Sequence, residues 1–242
     1  MCSADFHKSY ISNIYPNCCI MQAKIVVANH SHGKYSTAIC EMIEEAAQKR
    51  GTGIAKRKPE YILEKITEGN AVIALHGDDV IGFCYIESWE DKKYVVNSGL
   101  IVHPDFRKTG LAKSIKKEIF LLSKDKYPNA KLFGITTSMA VMRINSDLGY
   151  KPATFSELTK DEAFWNGCKS CTNYDILQRT NKSMCLCTGM ICDLKNVTNV
   201  AKTKEKKSSW ENFIRFMSLR KVRLQRIAKQ FPKLKKLAKN ES

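Results

Sequence analysis

Apolar residues recur along this chain with two different periods, and the switches between them mark its elements. Residues 24–28 form the first convincing strand-like run. Over 34–50, Ile39, Ile43 and Ala46 or Ala47 return at helical spacing, and Gly51 is a stop. Pro59 suits the first turn of a second helix running to about Glu68, with Gly69 after it. The period then shortens. Residues 71–75 and 80–89 are apolar runs joined by His76-Gly-Asp-Asp79, a hairpin signal, and 94–102 is another strand. Residues 103–110 read as a loop. In 111–123, Leu111, Ile115, Ile119 and Leu122 mark one helical face, and Lys113, Lys116 and Lys117 mark the other. A strand at 132–136, a short helix at 140–148 stopped by Gly149, and a last strand at 150–155 complete the pattern. Strands joined by hairpins and then by helical crossovers predict an α/β layered domain with a mixed sheet.

Composition changes this picture in two places. The chain has 242 residues, 43% of them hydrophobic, enough for one sizeable domain and an appendage. Its net charge is +16, but residues 201–242 hold 14 Lys and Arg against 3 Glu. The basicity therefore belongs to a tail and not to the domain. Ten cysteines are present, and Cys168, Cys171, Cys185, Cys187 and Cys192 are crowded together. No apolar run is long enough to span a bilayer, and residues 1–22 lack a signal-peptide core and read as a disordered leader, so the expected location is cytoplasmic.

The segment with the most chemistry is the junction of the 94–102 strand with the 111–123 helix. A β-branched strand runs into a loop holding Arg107, Lys108, Thr109 and Gly110, and a helix starts at Leu111 and Ala112. Free N–H groups at that helix start would face an anion, and Gly110 would let the backbone approach a phosphate closely. The alternative is an ordinary strand–turn–helix connection with a surface arginine.

Residues 23–156, within an expected domain of 23–160, resemble the GNAT superfamily of acyl-CoA N-acyltransferases. The resemblance rests on Arg107-Lys-Thr-Gly110-Leu-Ala112, preceded by Val102-His-Pro104 and followed later by Leu148-Gly-Tyr150. It implies a mixed, mostly antiparallel sheet flanked by helices. It also implies an acyl-CoA donor, acetyl-CoA first, whose pyrophosphate lies on residues 107–112 and whose pantetheine arm runs past Ile101 and Val102. A backbone N–H near these two residues would be the oxyanion donor. Many members carry a Tyr acid where this chain has Asn145, which cannot supply an acidic proton; Ser138, Ser146 or water are alternatives. Glu87 and Glu90 are candidate bases for the acceptor ammonium, and both also read as solvated strand-end carboxylates. His103 fits a structural loop residue better.

On the acceptor side, Arg50, Lys56 and Arg57 lie in a basic loop that would suit carboxylates, or would simply be solvated. Arg50-Gly-Thr-Gly-Ile-Ala-Lys-Arg57, Asn97-Ser-Gly-Leu-Ile-Val-His-Pro104 and the segment from Cys168 to Arg179 resemble a bacterial GNAT subfamily associated with arginine biosynthesis. That resemblance implies glutamate as acceptor, with acetyl or succinyl donors. A protein, polyamine or aminoglycoside acceptor is the alternative within the fold, and a homodimer is a compatible assembly.

Residues 161–200 form a Cys-rich extension. Cys168, Cys171, Cys185 and Cys187 have the pairing of a structural zinc clamp; reduced, partly buried cysteines or a redox pair are the other readings. In 201–242, Trp210, Phe213, Ile214, Met217, Leu224, Ile227 and Phe231 recur at helical spacing among basic residues. Such a helix could pack on its own domain, or meet a membrane surface, a nucleic acid or a partner protein. The rival function is therefore a nucleic-acid- or ribosome-associated protein acting through its tail.

Overall fold

The computed structural model describes residues 23–50 and 56–197. The expected leader, the 51–55 loop and the basic tail lie outside these residues. Seven strands form one sheet in the order β1-β2-β3-β4-β5-β7-β6. The strands are β1 Ala23–Val27, β2 Ala71–His76, β3 Asp79–Trp89, β4 Tyr94–Val102, β5 Lys131–Thr136, β6 Lys151–Ala153 and β7 Thr188–Asp193. Only β4 and β5 pair in parallel; every other pair is antiparallel. The helices are α1 Ser36–Arg50, α2 Pro59–Thr67, α3 Leu111–Lys126, α4 Met139–Asp147, α5 Glu162–Asn166 and α6 Tyr174–Arg179.

Alternation along the strands divides the side chains between two faces. On one face α3 packs against β3 and β4. A Cβ on Gly82 would lie 2.4 Å from Ile115 Cδ1 of that helix, so any larger residue there would have to move the Ile115 side chain. The other face carries two separate apolar clusters. Ile39, Ile43, Ile62 and Ile66 of α1 and α2 cover Ile73, Phe83 and Tyr85. Trp165 and Leu177, from the segment after β6, cover Val96, Phe133 and Phe155. A trench between the two clusters runs over β4.

One polar group is sunk into the α3 face. Lys116 is 3% exposed, and its Nζ donates to Asn97 Oδ1 at 3.2 Å. Tyr150 Oη donates to the same oxygen at 3.3 Å, and Asn97 Nδ2 donates to Ser123 Oγ at 2.7 Å. Burial lowers the Lys116 pKa to about 8.

The extension expected after the sheet turns out to belong to it. The segment 161–197 returns as β7 and inserts between β5 and β6. The expected last strand, 150–155, shortens to an outer strand of three residues whose paired neighbour is β7.

Candidate active site

Strands β4 and β5 pair only through Tyr94↔Lys131, Val95↔Leu132 and Val96↔Phe133. From Asn97 onward this ladder ends, while the other edge of β5 stays paired with β7 along its whole length. The register of β3 with β4 also shifts, between Phe83↔Ile101 and Tyr85↔Ser98, so β4 carries a bulge. Gly99 sits in that bulge with φ +65°, and a Cβ there would lie 2.4 Å from Tyr85 Cε1. A bulge leaves a residue outside the ladder and frees its backbone groups. Ile101 and Val102, both buried, lie just beyond it.

Past Val102 the chain makes a 3₁₀ turn at Pro104–Phe106. Arg107 Nε donates back to Val102 O at 3.2 Å, and Thr109 Oγ1 donates to Phe106 O at 2.7 Å. These two bonds fold the loop onto itself. Lys108 adopts φ 63° and Gly110 φ 92°. Gly110 is the N-cap of the sixteen-residue α3 and has no side chain to cap it. The first N–H groups of α3, beginning at Leu111 and Ala112, are therefore left for an external acceptor. This geometry fits a pyrophosphate at the mouth of the β4–β5 opening.

A pocket of about 260 Å³ lies in the trench. One wall brings Arg57, Tyr85 and Glu87 together, with Ser98 and Gly99 of the bulge beside them. Glu87 is held on both oxygens: Tyr61 Oη donates to Oε1 at 2.5 Å, and Ser98 Oγ donates to Oε2. Burial, together with the Glu87 carboxylate beside it, pushes the Tyr61 hydroxyl far above its ordinary pKa, so it stays a donor. Arg57 Nε donates to Tyr85 Oη at 2.6 Å, and Nη1 donates to Lys56 O at 3.1 Å. Among the described residues no carboxylate lies within ion-pair distance of Arg57.

The other sequence candidates fall elsewhere. Lys56 is exposed and pairs with Glu44 at 2.8 Å, away from the pocket wall. Arg50 ends α1, and its side chain lies outside the described set. Glu90 accepts from Thr159 Oγ1 and Lys160 N, which gives it a structural task. His103 caps the 3₁₀ turn by accepting from Asp105 N at 3.4 Å. Asn145 is 2% exposed; its Nδ2 lies 3.9 Å from Met190 Sδ, and its Oδ1 has no partner among the described residues.

The cysteines require a correction. Cys168, Cys171, Cys185 and Cys187 do share the pocket wall. Yet among the described residues no group of three or more His, Cys, Asp or Glu side chains is arranged to hold a metal ion, so the expected zinc clamp finds no support in the structure. Burial, reinforced by the neighbouring sulfurs, raises Cys168 to about 11 and Cys187 to about 12. These two remain neutral thiols at pH 7, and all four are free cysteines.

Sequence reasoning missed Tyr61, Tyr85 and Ser98. The available signal was alternation along β3: Phe83, Tyr85, Glu87 and Trp89 share one face, so Glu87 could not be read apart from Tyr85 and Trp89.

Residues 37–126 match the model of the acetyltransferase (GNAT) family. That stretch is similar to a GNAT acetyltransferase domain. The matched stretch runs from α1 through the glycine loop to the end of α3, the elements that build one wall of the trench and the turn at residues 107–112. No protein of curated function matches the chain in sequence.

Solved structures share the fold of this chain at low identity. An N-acetylglutamate synthase from Neisseria gonorrhoeae, complexed with coenzyme A and N-acetyl-glutamate, matches at TM-score 0.50 and 15% identity. The match covers 71% of this chain but only 35% of the synthase, so the chain spans about a third of that relative's length. Rv2747 from Mycobacterium tuberculosis, in complex with CoA, matches at TM-score 0.50 and 15% identity over 70% of this chain and 98% of that one. YncA from Salmonella typhimurium, with its cofactor acetyl-CoA, matches at TM-score 0.50 and 13% identity over 73% and 96%. Among the described residues no helix is long and apolar enough to cross a membrane.

Proposed function

We propose that this enzyme transfers an acyl group, acetyl in the first instance, from acyl-CoA to the amine of a small acceptor bearing a carboxylate. The observation that carries this reading is the meeting of Arg57 and Glu87 beside the β4 bulge, at the opening between β4 and β5. A donor whose pyrophosphate rests on residues 107–112 extends its thioester arm past Val102 and Ile101 toward the bulge. A backbone N–H freed there stabilises the oxyanion as the amine attacks the carbonyl carbon. Glu87 accepts the ammonium proton, with Tyr61 and Ser98 holding the carboxylate in place. The C–S bond then breaks, and the departing thiolate, with a pKa of roughly 8.5 like that of a free thiol, needs little help from an acid. Water suffices for its proton, because Asn145 has none to give.

Arg57 is the acceptor's anchor in this reading. Glutamate, the acceptor that the subfamily resemblance implies, offers it an α-carboxylate and offers Glu87 an α-amine. The test is thiol release from acetyl-CoA and succinyl-CoA over a panel of amino acids, polyamines, aminoglycosides and peptide amines. Turnover should require a carboxylate on the acceptor. A charge-assisted hydrogen bond contributes about 1.5–3 kcal/mol, so Arg57→Ala should cost roughly ten- to a hundredfold in kcat/KM, mostly through the acceptor KM. CoA affinity should not change. Preference for polyamines or a peptide amine would overturn the acceptor assignment.

A further inference from the structure

The trench does not end at Glu87. The β3–β4 register gives the order of its floor: Phe83 opposite Ile101, Tyr85 opposite Ser98, Glu87 opposite Val96, and Trp89 opposite Tyr94. The phosphate-facing turn follows Val102, so a donor arm enters from the Phe83–Ile101 end. Trp89 lies two residues beyond Glu87 on the same face, about 7 Å further from the donor. The pocket continues into that space, and its character changes there. Trp89, Phe155, Phe164 and Leu177 wall it with apolar surface.

Three observations set what this end accepts. First, its aromatic rings form a built cluster: Trp89 and Phe164 meet edge-on with centroids 5.8 Å apart, and Phe164 meets Phe133 at 5.0 Å. Second, four cysteines help to complete the wall, alongside the uncharged Asn173 and Tyr174, and the two most perturbed of these cysteines are neutral thiols, which behave as small polarisable hydrophobes. Third, Arg57 and Glu87 are the only charged residues in the described lining of this pocket, so it offers a single cation, which the α-carboxylate already engages. A second carboxylate carried past Glu87 would lose its water against rings and thiols with no second described cation to receive it.

We infer that the acceptor is an α-amino acid with a bulky apolar side chain, its carboxylate on Arg57, its amine at Glu87 and its side chain between Trp89 and Phe164. This inference rests on the Arg57–Glu87 reading above and narrows it. Within that class, phenylalanine, leucine and methionine take precedence over glutamate. Burying a side chain of this size contributes roughly 1.5–3 kcal/mol, which corresponds to about ten- to a hundredfold in kcat/KM.

The full-length enzyme with acetyl-CoA tests it, with phenylalanine, leucine, methionine, glutamate, aspartate and phenethylamine as acceptors and the acylated product identified by mass. The expected result is at least tenfold higher kcat/KM for phenylalanine than for glutamate, and a large loss with phenethylamine, which lacks the carboxylate. Ala163, on the same wall, provides a variant outside the aromatic cluster. Ala163→Trp should fill the apolar end and cut phenylalanine turnover about tenfold or more, while a calorimetric CoA titration reports that the protein is folded. Glutamate turned over as well as or better than phenylalanine overturns this inference and leaves the acyltransferase reading standing. So does a preference for glutamate with longer acyl-CoA donors, which would assign the apolar end to the donor chain. Failure of every carboxylate-bearing amine in a protein that binds CoA overturns the Arg57–Glu87 reading itself.

Discussion

At the scale of single residues, the same side-chain type serves different ends according to its surroundings. Lys116 and Lys117 are neighbours in sequence, and both were assigned by periodicity to the polar face of a helix. Lys117 is exposed; Lys116 is buried against Asn97 and Tyr150. Its folded pKa of about 8 lies below the unfolded value of about 10.4. Between these values the unfolded chain binds more protons, so the Lys116 contribution to stability rises with pH through that window. Below about pH 8 the protein carries the full cost of a buried charge. Lys116→Met should therefore be stabilising relative to wild type at pH 7, and that advantage should shrink by about 2–3 kcal/mol as pH approaches 10.5. Urea denaturation of both proteins across this range checks it; a difference that does not vary with pH would contradict the assignment. Periodicity could not have separated the two lysines, because a helical face has no sharp edge and long side chains at its margin turn either way.

At the scale of elements, β4 is the strand on which the site depends, and one glycine gives it its shape. Gly99 has a backbone that L side chains rarely adopt, and Tyr85 occupies the space a Cβ would need. Gly99→Ala should destabilise the domain by about 2–4 kcal/mol, from left-handed strain of about 1–2 kcal/mol together with displacement of the Tyr85 ring. It should also raise the acceptor KM, since Arg57 is anchored on the Tyr85 hydroxyl. Chemical denaturation and steady-state kinetics on the variant measure the two effects separately; a variant with unchanged acceptor KM would disconnect the bulge from the Arg57 anchor. Much at this scale was legible beforehand. The 103–112 loop was readable because glycine, proline and a helix start are local signals. Helices 36–50, 59–67 and 111–126 announced themselves by period, and each ends within a few residues of its expected boundary. Strand β7 was not legible. Thr188-Gly-Met-Ile-Cys-Asp193 has a short apolar run without β-branched alternation, and only pairing along all of β5 makes it a strand. The partnership of Glu87 with Tyr61 was hidden for the same reason, since it joins residues 26 apart through packing alone.

At the scale of the whole molecule, charge and chemistry occupy different parts of the chain. Residues 201–242 carry most of the net +16, while the turn at residues 107–112 and the trench lie within 43–187. A protein lacking residues 198–242 should keep its acyl-CoA turnover within about threefold of the full chain. It should lose any salt-sensitive attraction to polyanions, whose affinity for the full chain should fall steeply as salt rises. Turnover by thiol release and a heparin-column elution profile test these two statements, and a collapse of turnover on truncation would tie the tail to the reaction. The cysteines show why the site's other wall escaped sequence reasoning. Paired cysteines 14 residues apart read as a metal clamp, but their spacing says nothing of the burial that keeps Cys168 and Cys187 as neutral thiols in the pocket wall.

The insertion of β7 between β5 and β6 orders events during synthesis. When the ribosome has made residues 151–153, the strand they will form has no edge to join, because its partner is encoded more than thirty residues later. Until residues 188–193 emerge, β5 keeps an open edge and the trench lacks the wall that carries Phe164 and the thiols. Closure of the sheet and completion of the acceptor pocket are thus a single late step, made of long-range contacts that are slow to form. A chain that stops before residue 188 should therefore present the turn at residues 107–112 without a completed trench, which separates the two halves of the proposed site in the order of their making.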